Sequence, residues 1–368
     1  MSIIKILSFN VNGIRSLEKH IKSTNKKYDI NQWLIDLGYD IYCFQEVKGS
    51  RDNLEKYFTL NDFCAFASFH KQPGRHGVMT FVSKKSNCYE VTEVEKGRIL
   101  KTTHNGFSLY NCYMPYCSED DATDVIMSVY EKLSNSLKKD KEECIFIAGD
   151  LNATYNMSDN YIYQQEYEKL VYVDKFEEKV KHRKELKSHT ECNKHNHTSN
   201  SKENISQLIK VWDDIFYKKV RDLSENGIYT EKIKPKATEM EVYYLSVYEL
   251  YKRFMEKKQR KWLFNMVKEY TDVYREVNTE LFKYTCWDQQ LSLRACNLGT
   301  RIDYILMKNR RNYNIIAAEI HQNIGGSDHC PVSVKIEIES KSLDKYKEKK
   351  NIVKKPHNLM DYIKNKKQ

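Results

Sequence analysis

Residues 144–152 read CIFIAGDLN. The run from Cys144 to Ala148 is apolar and too short for an independent helix, so it reads as a strand of a buried sheet. How it stops carries the information. Gly149 is followed at once by Asp150, with Asn152 two residues on. A strand that is apolar and then ends on a carboxylate or an amide places that group at the rim of a sheet. The same kind of run recurs as IIKILSFNV (3–11), IYCFQEV (41–47), FCAFASF (63–69), GVMTFVS (77–83) and FSLYNCYMP (107–115). It returns late in the chain as RIDYILM (301–307), YNIIAAEI (313–320) and PVSVKIEI (331–338). Asn105-Gly106 suits a hairpin turn. A helix is expected from an N-cap at Ser118, with Ile126, Val129, Tyr130, Leu133 and Leu137 on its apolar face.

Between these strand-rich parts the character changes. From about residue 156 to 258 the chain is charged and Tyr-rich, and HRKELKSHTECNKHNHTSNSKEN (182–204) reads as a disordered loop. Helical spacing returns over roughly 240–280, where Tyr243, Tyr244, Tyr248, Tyr251 and Phe254 form an aromatic stripe read as core packing. The simplest assembly is one α/β domain over 1–340, two packed sheets flanked by helices, interrupted by a long charged, partly helical insertion. A basic tail follows over 341–368. The 61 Lys and Arg against 51 Asp and Glu leave a formal charge of +10, which suits a polyanionic partner. The ten cysteines show no C-x-x-C pair, the pattern of reduced thiols in an intracellular protein. No apolar run approaches the roughly 18 residues of a membrane span, and the start of the chain passes straight into a strand without a signal-like segment.

Polar residues are expected to end strands in an ordered series: Asn10 and Asn12 in SFNVNG, Glu46 in FQEVK, Tyr113 in CYMP and Asp150 and Asn152 in GDLN. Asp303 in RIDY and Asp328 and His329 in GSDHCP complete it. Phosphodiester hydrolysis accounts for such a series. A hard cation takes oxygen ligands, one or two carboxylates with water and phosphate, and Glu46 suits it with Asp328 or Asn12 nearby. An attacking water needs a base and an orienting group, roles for Asp150 and Asn152. Charge developing on phosphorus needs positioned donors, for which His329, Tyr113 and Asn10 are candidates. Asp303 would fix the tautomer of His329 and favour its cation.

Taken together, LSFNVNGIR, FQEVK, GDLN, NLGTRIDYIL and GSDHCPV resemble the exonuclease III family of AP endonucleases, within the wider endonuclease/exonuclease/phosphatase superfamily. The resemblance covers roughly residues 1–155 and 259–340. It implies a four-layered α/β sandwich with the site at one rim of two mixed sheets. It implies a Mg²⁺ cofactor, with Mn²⁺ able to take its place, and a metal neighbourhood of Glu46, Asn12, Asp150, Asn152, Asp328 and His329. It implies that Asp150 activates water, that Asp303 pairs with His329, and that Asn10, Tyr113 and Asn152 complete the catalytic set. Arg15, Lys48 and Thr300 fall where the family meets DNA. Asn12 stands where first-type members carry aspartate, and RKWL (260–263) and TCW (285–287) also resemble the AP endonuclease 2 type. First-type members carry tryptophan at Thr300 and phenylalanine at Cys286, aromatics that wall a pocket for a flipped-out abasic sugar. The implied activity is a nuclear DNA-repair enzyme acting on damaged double-stranded DNA as AP endonuclease, 3′-phosphodiesterase and 3′–5′ exonuclease.

The tail segment PHNLMDYIKNKKQ places Leu359, Tyr362 and Ile363 like the apolar plug of a box that docks on the sliding clamp PCNA, with Pro356 in place of the usual glutamine. His189, Cys192, His195 and His197 have zinc-ligand chemistry but lack apolar neighbours, so they read as solvated loop. Two rival readings remain. An RNA deadenylase or phosphoinositide phosphatase of the same superfamily is opposed by the DNA-branch motifs and the basic charge. A silent DNA- or clamp-binding adaptor would have no need of Glu46, Asp150, Asn152, Asp303 and His329.

Overall fold

The computed structural model describes residues 2–72, 74–86, 88–116, 123–161, 257–280, 283–309 and 313–338. The clamp-like tail, the His189–His197 group, the helix cap at Ser118 and the aromatic stripe at 243–254 lie outside the described residues.

Twelve strands form two six-stranded sheets. In chain order they are β1 (Ser2–Asn10), β2 (Ile41–Gln45), β3 (Phe63–Phe69), β4 (Gly77–Ser83), β5 (Glu90–Glu95) and β6 (Ile99–Thr103). Then come β7 (Phe107–Tyr113), β8 (Cys144–Asp150), β9 (Thr271–Asp272), β10 (Asp303–Asn309), β11 (Tyr313–Ile320) and β12 (Val332–Ile338). The first sheet runs β11-β12-β1-β2-β4-β3 and the second β5-β6-β7-β8-β10-β9. Each sheet has one parallel pair, β1 with β2 and β7 with β8, flanked by antiparallel neighbours. Both sheets are therefore mixed, as the family resemblance implied.

The period-two alternation of a strand builds the layers. Ile6, Ile41, Phe107, Phe146, Ile305 and Val334 point between the sheets. The alternate row of the first sheet, including Leu7, Phe9, Tyr42 and Phe44, packs against helices α1 (Ile14–Thr24) and α2 (Ile30–Leu37) through Leu17, Ile21 and Leu34. The outer row of the second sheet, including Tyr110, Ile145, Ile147 and Leu306, meets α3 (Thr123–Lys139) and α4 (Lys258–Met266) through Tyr130, Leu133 and Leu263. Helix, sheet, sheet and helix make four layers. Full burial of each large apolar side chain contributes about 1.5–3 kcal/mol. Helices α1 and α2 and strands β5 and β6 are additions to the sequence reading. Strand β5, EVTEVE, alternates too many charged residues with apolar ones to stand out, because its outer side is solvated.

Helical order after the insertion is also shorter than the expected span. Helix α4 stops at Met266, and the short strand β9 intervenes before α5 (Val273–Val277), which Asp272 caps through the N–H groups of Tyr274 and Arg275. One expectation about strand endings needs correction. Asp303 begins β10 rather than ending a strand, and Asp328-His329 precedes β12. Because β10 is antiparallel to β8 and β12 to β1, these starts lie at the same rim as the ends of the parallel pairs.

Gly149 shows why the turn at that rim has its sequence. Its φ is 147°, and a Cβ there would lie 1.9 Å from the carbonyl oxygen of Cys112 on β7. Only glycine lets β8 approach β7 closely enough to put Asp150 beside Tyr113, its register partner.

Candidate active site

Between the sheets, the inward rows change from apolar to polar as they near the rim. Gln45 donates to Ser8 Oγ at 3.0 Å and to Asn111 Oδ1 at 2.8 Å, and Asn111 donates to Thr80 Oγ1 at 3.1 Å. This buried amide floor supports the groups above it, and it escaped the sequence reading because it forms only where both sheets meet.

Above the floor, one side chain joins the two sheets. The Asn10 amide donates to Glu46 Oε1 at 2.9 Å and to Asp150 Oδ2 at 2.8 Å. Asp150 Oδ1 accepts the backbone N–H of Asn152 at 2.9 Å, and the Asn152 amide is anchored on the Met114 carbonyl at 2.8 Å. Across β10, Asp303 is the register partner of Asp150, and its Oδ2 lies 2.8 Å from His329 Nδ1. His329 Nε2 in turn faces Asp150 Oδ2 at 3.9 Å. On the other side, Lys48 Nζ bonds Asn12 Oδ1 and lies 3.1 Å from Glu46 Oε2, while Asn12 donates to Asp328 Oδ1 at 2.9 Å. A continuous arc runs Asp328–Asn12–Lys48–Glu46–Asn10–Asp150–His329–Asp303.

The local backbone is unusual in the same place. Asn12 (φ 46°), Glu46 (φ 50°), Lys48 (φ 48°) and Asn152 (φ 45°) all occupy the left-handed region. Asparagine tolerates it, but for Glu46 and Lys48 it costs of order 1–3 kcal/mol each. Such strain persists where surrounding contacts impose it, and here they hold both residues in the arc.

The electrostatics are equally biased. Burial, then the neighbouring Asp303 carboxylate, pushes Asp150 up to about 7 from its ordinary 3.8. Burial would also raise Glu46, but the Asn10 hydrogen bond and the charge of Lys48 hold it below its usual value. For His329, burial opposes the cation, yet the Asp303 carboxylate and a hydrogen bond donated to Cys286 sulfur hold it well above the normal imidazole range. Burial and the carboxylates of Glu46 and Asp150 keep the Tyr113 phenol protonated. Four carboxylates, of Glu46, Asp150, Asp303 and Asp328, face two cations, Lys48 and His329. Asp303 Oδ1 is buried without a hydrogen-bond partner. Ligand atoms of Asp150, Asp303 and His329 come within 4.8 Å of one another. Oxygen donors with net negative charge fit a hard divalent cation.

Most of the expected residues meet here: Asn10, Asn12, Glu46, Lys48, Tyr113, Asp150, Asn152, Asp303, Asp328 and His329. Lys48 points inward to Glu46 and Asn12 rather than out along the surface. Arg15 stays exposed on α1, with no hydrogen bond to the arc among the described residues. Thr300 pairs with Cys286 across a bridge, and Cys286 pairs with His329, so both wall positions adjoin the site. Asn160 also bridges to Thr300. Further neighbours went unread in the sequence. Arg98 lies 5.1 Å over the Tyr113 ring and donates to its carbonyl at 3.1 Å, and the His76 ring is 5.5 Å away. Thr285 Oγ1 accepts the N–H groups of Ile302 and Asp303 at 3.1 Å each. Thr285 stands in the TCW stretch, which gave it no role, and no motif marks Arg98 or His76, which flank strands β6 and β4.

The pattern of the endonuclease/exonuclease/phosphatase family matches residues 7–329, from β1 to His329. The chain belongs to this family. DNA-(apurinic or apyrimidinic site) endonuclease 2 of Schizosaccharomyces pombe is 23% identical over 93% of the chain, which spans 60% of that relative. The Saccharomyces cerevisiae protein of the same name is 41% identical over 63 residues, 17% of this chain and 12% of that protein. In three dimensions the family member is similar to the Xenopus laevis APE2 catalytic domain. The TM-score is 0.56 at 19% identity, covering 90% of this chain and 91% of that one. The AP endonuclease LMAP from Leishmania major gives a TM-score of 0.55 at 15% identity, covering 92% and 88%. These likenesses establish the four-layered fold.

Proposed function

We propose that this chain is a metal-dependent DNA-repair phosphodiesterase of the AP endonuclease 2 type, cutting at abasic sites and cleaning 3′ ends. The observation that carries the reading is the arc itself. Residues from both sheets converge on one buried, carboxylate-rich cluster whose donors fit a hard cation.

Asp150 is the base. Its Oδ1 is held by the Asn152 N–H and its Oδ2 by the Asn10 amide, so the carboxylate is aimed and cannot rotate away. Its raised affinity for protons near neutrality suits it to take one from an attacking water. His329, held cationic by Asp303, donates from Nε2 to a phosphoryl oxygen as charge develops there. The Tyr113 phenol, kept protonated, is a second donor. Glu46 would hold the metal, with Asp150, Asn152 and the Asn12–Asp328 pair around it. In this reading the His329 ring, expected among the metal neighbours and grouped with Asp150 and Asp303, serves as a donor to the phosphoryl group. When bound, Mg²⁺, or Mn²⁺ in its place, supplies Lewis-acid charge to the phosphoryl and leaving oxygens.

Cys286 and Thr300 form a low pocket wall, so extrusion of an abasic nucleotide, costing a few kcal/mol, is repaid poorly. This favours 3′-end processing over internal incision. The opposing feature is Asn160, seated beside Thr300. The net charge supports a polyanionic substrate, the likeness to DNA-repair relatives supports damaged DNA and the nucleus as workplace, and the tail residues Leu359, Tyr362 and Ile363 support a clamp contact. Leu359→Ala with Tyr362→Ala should abolish stimulation by the organism's own clamp and spare unstimulated cleavage.

The deciding experiment compares the purified protein with Mg²⁺ on an abasic duplex, a blocked 3′ end, a recessed 3′ end, polyadenylate RNA and a phosphoinositide. Cleavage of the DNA substrates, lost with EDTA, is expected. Preference for RNA or lipid, or no turnover of any substrate, would overturn the reading. An abasic duplex favoured tenfold or more over the recessed end would overturn the reading of the wall.

A further inference from the structure

The loop from Gln322 to His329 carries Asp328 and His329, yet it contains Gly325 and Gly326 and has little apolar content to hold it. Four of its carbonyls converge on one guanidinium. Arg294 Nη1 donates to Ser327 O at 3.0 Å and His329 O at 3.3 Å, and Nη2 donates to Gln322 O at 2.9 Å and Ile324 O at 2.7 Å. Among the described residues no carboxylate pairs with Arg294. Its guanidinium lies 4.7 Å over the Trp287 ring, and the backbone N–H of Trp287 holds Asp328 O at 3.0 Å. On the opposite side, α1 closes on the loop, since a Cβ at Gly326 would meet His20 and Leu17 at 2.9 Å.

Four converging carbonyls repel one another and are costly to leave unpaired. A guanidinium offers five donors in a planar fork and answers them from both nitrogens, whereas an ammonium is a single point with three. We infer that Arg294 is a positioning residue that winds the 322–329 loop and thereby sets the place of His329 and Asp328. It also links that loop to residues 287–298, which join the wall positions Cys286 and Thr300. The inference rests on the phosphodiesterase reading for its meaning, and on the geometry alone for its existence.

The test uses Arg294→Ala and Arg294→Lys in the full chain, with cleavage measured at saturating Mg²⁺. Loss of a group that orients site residues from behind lowers activity about 10–100-fold. The loss is expected in kcat rather than KM. Millimolar guanidinium, at matched ionic strength, should restore part of the Arg294→Ala activity saturably. Methylammonium should not, and Arg294→Lys should remain low. An activity-independent readout is the NMR signal of the His329 ring N–H bonded to Asp303. It should broaden or shift in both variants and return in Arg294→Ala with guanidinium. Wild-type kcat and an unmoved His329 signal in either folded variant would overturn the inference. So would a fall in melting temperature with no guanidinium rescue of either readout. Should Arg294→Ala not fold, Arg294→Lys decides by its kcat and His329 signal. A wild type inactive on every substrate would sink the phosphodiesterase reading, while the NMR comparison would still decide the role of Arg294.

Discussion

Two clusters of buried charge lie side by side at the entry to β10, and they are built on opposite rules. In one, Arg301 makes a bidentate pair with Asp272, both bonds 2.7 Å, and Arg275 Nη2 reaches Asp159 Oδ1 at 2.6 Å. Tyr155 adds a hydrogen bond to Asp272 Oδ2 at 3.0 Å. Two cations meet two carboxylates, and the cluster ties residues on both sides of the insertion to the strand that bears Asp303. Burial alone would raise Asp272, but Arg301 holds it below its ordinary value. In the other cluster carboxylates outnumber cations, and Asp150 is pushed up to about 7. Balanced charge holds the chain in place. Unbalanced charge leaves a need that a metal ion and a phosphate can meet.

The strongest test of that contrast is to neutralise the base. Asp150→Asn keeps the shape of the carboxylate, so DNA binding should survive while cleavage falls by about 10²–10⁴-fold. A loss below tenfold in single-turnover rate would put the base elsewhere.

The balanced cluster should answer in stability instead. Arg301→Met strands Asp272 without its partner, and breaking a buried pair in this way costs about 3–5 kcal/mol. Urea unfolding measures it, and a cost under 1 kcal/mol would show that the pair does not hold Asp272 to the entry of β10.

The clusters should also respond to pH with opposite signs. Asp150 binds its proton more tightly folded than unfolded, so its contribution to stability is lost as pH rises from about 4 through about 7. In EDTA, Asp150→Asn should therefore be more stable than wild type above pH 7, by on the order of 2–4 kcal/mol. The two should converge near pH 4, and Mg²⁺ should narrow the gap at high pH. Asp272, lowered in the fold, contributes above its unfolded value and loses that contribution as pH falls. Equal melting temperatures of wild type and Asp150→Asn at pH 8 would remove the case for an unbalanced site.

The smallest effect concerns His329. Because its folded value is raised, its cation persists past the ordinary imidazole range and is lost only as pH rises through the raised value. Asp303→Asn removes the main partner, so the alkaline fall in single-turnover cleavage should move to lower pH. An unmoved profile would separate the 2.8 Å pair from the chemistry.

Much of this was legible in the sequence, and particular residues show why the rest was not. Apolar runs ending on Asn10, Glu46 and Asp150 marked the rim, since period-two alternation and abrupt polarity are local properties of a strand. The apolar face of α3 was legible for the same reason, at helical period. Arg294, Thr285 and Arg98 carry no such mark, because what matters in each is the carbonyl, amide or ring it meets in another segment of the chain.

The sequence by itself therefore determined which residues sit at the rim, the order in which they arrive and the sign of the charge they bring. Only the tertiary structure decided that the starts of β10 and the loop before β12 share that rim, that Lys48 turns inward, and that one asparagine joins Glu46 to Asp150. The reason is range. Asn10 and Asp150 are 140 residues apart and Asn12 and Asp328 are 316 apart. Their encounter depends on the sense in which distant strands pair and on the register they adopt, which no local pattern of side chains records.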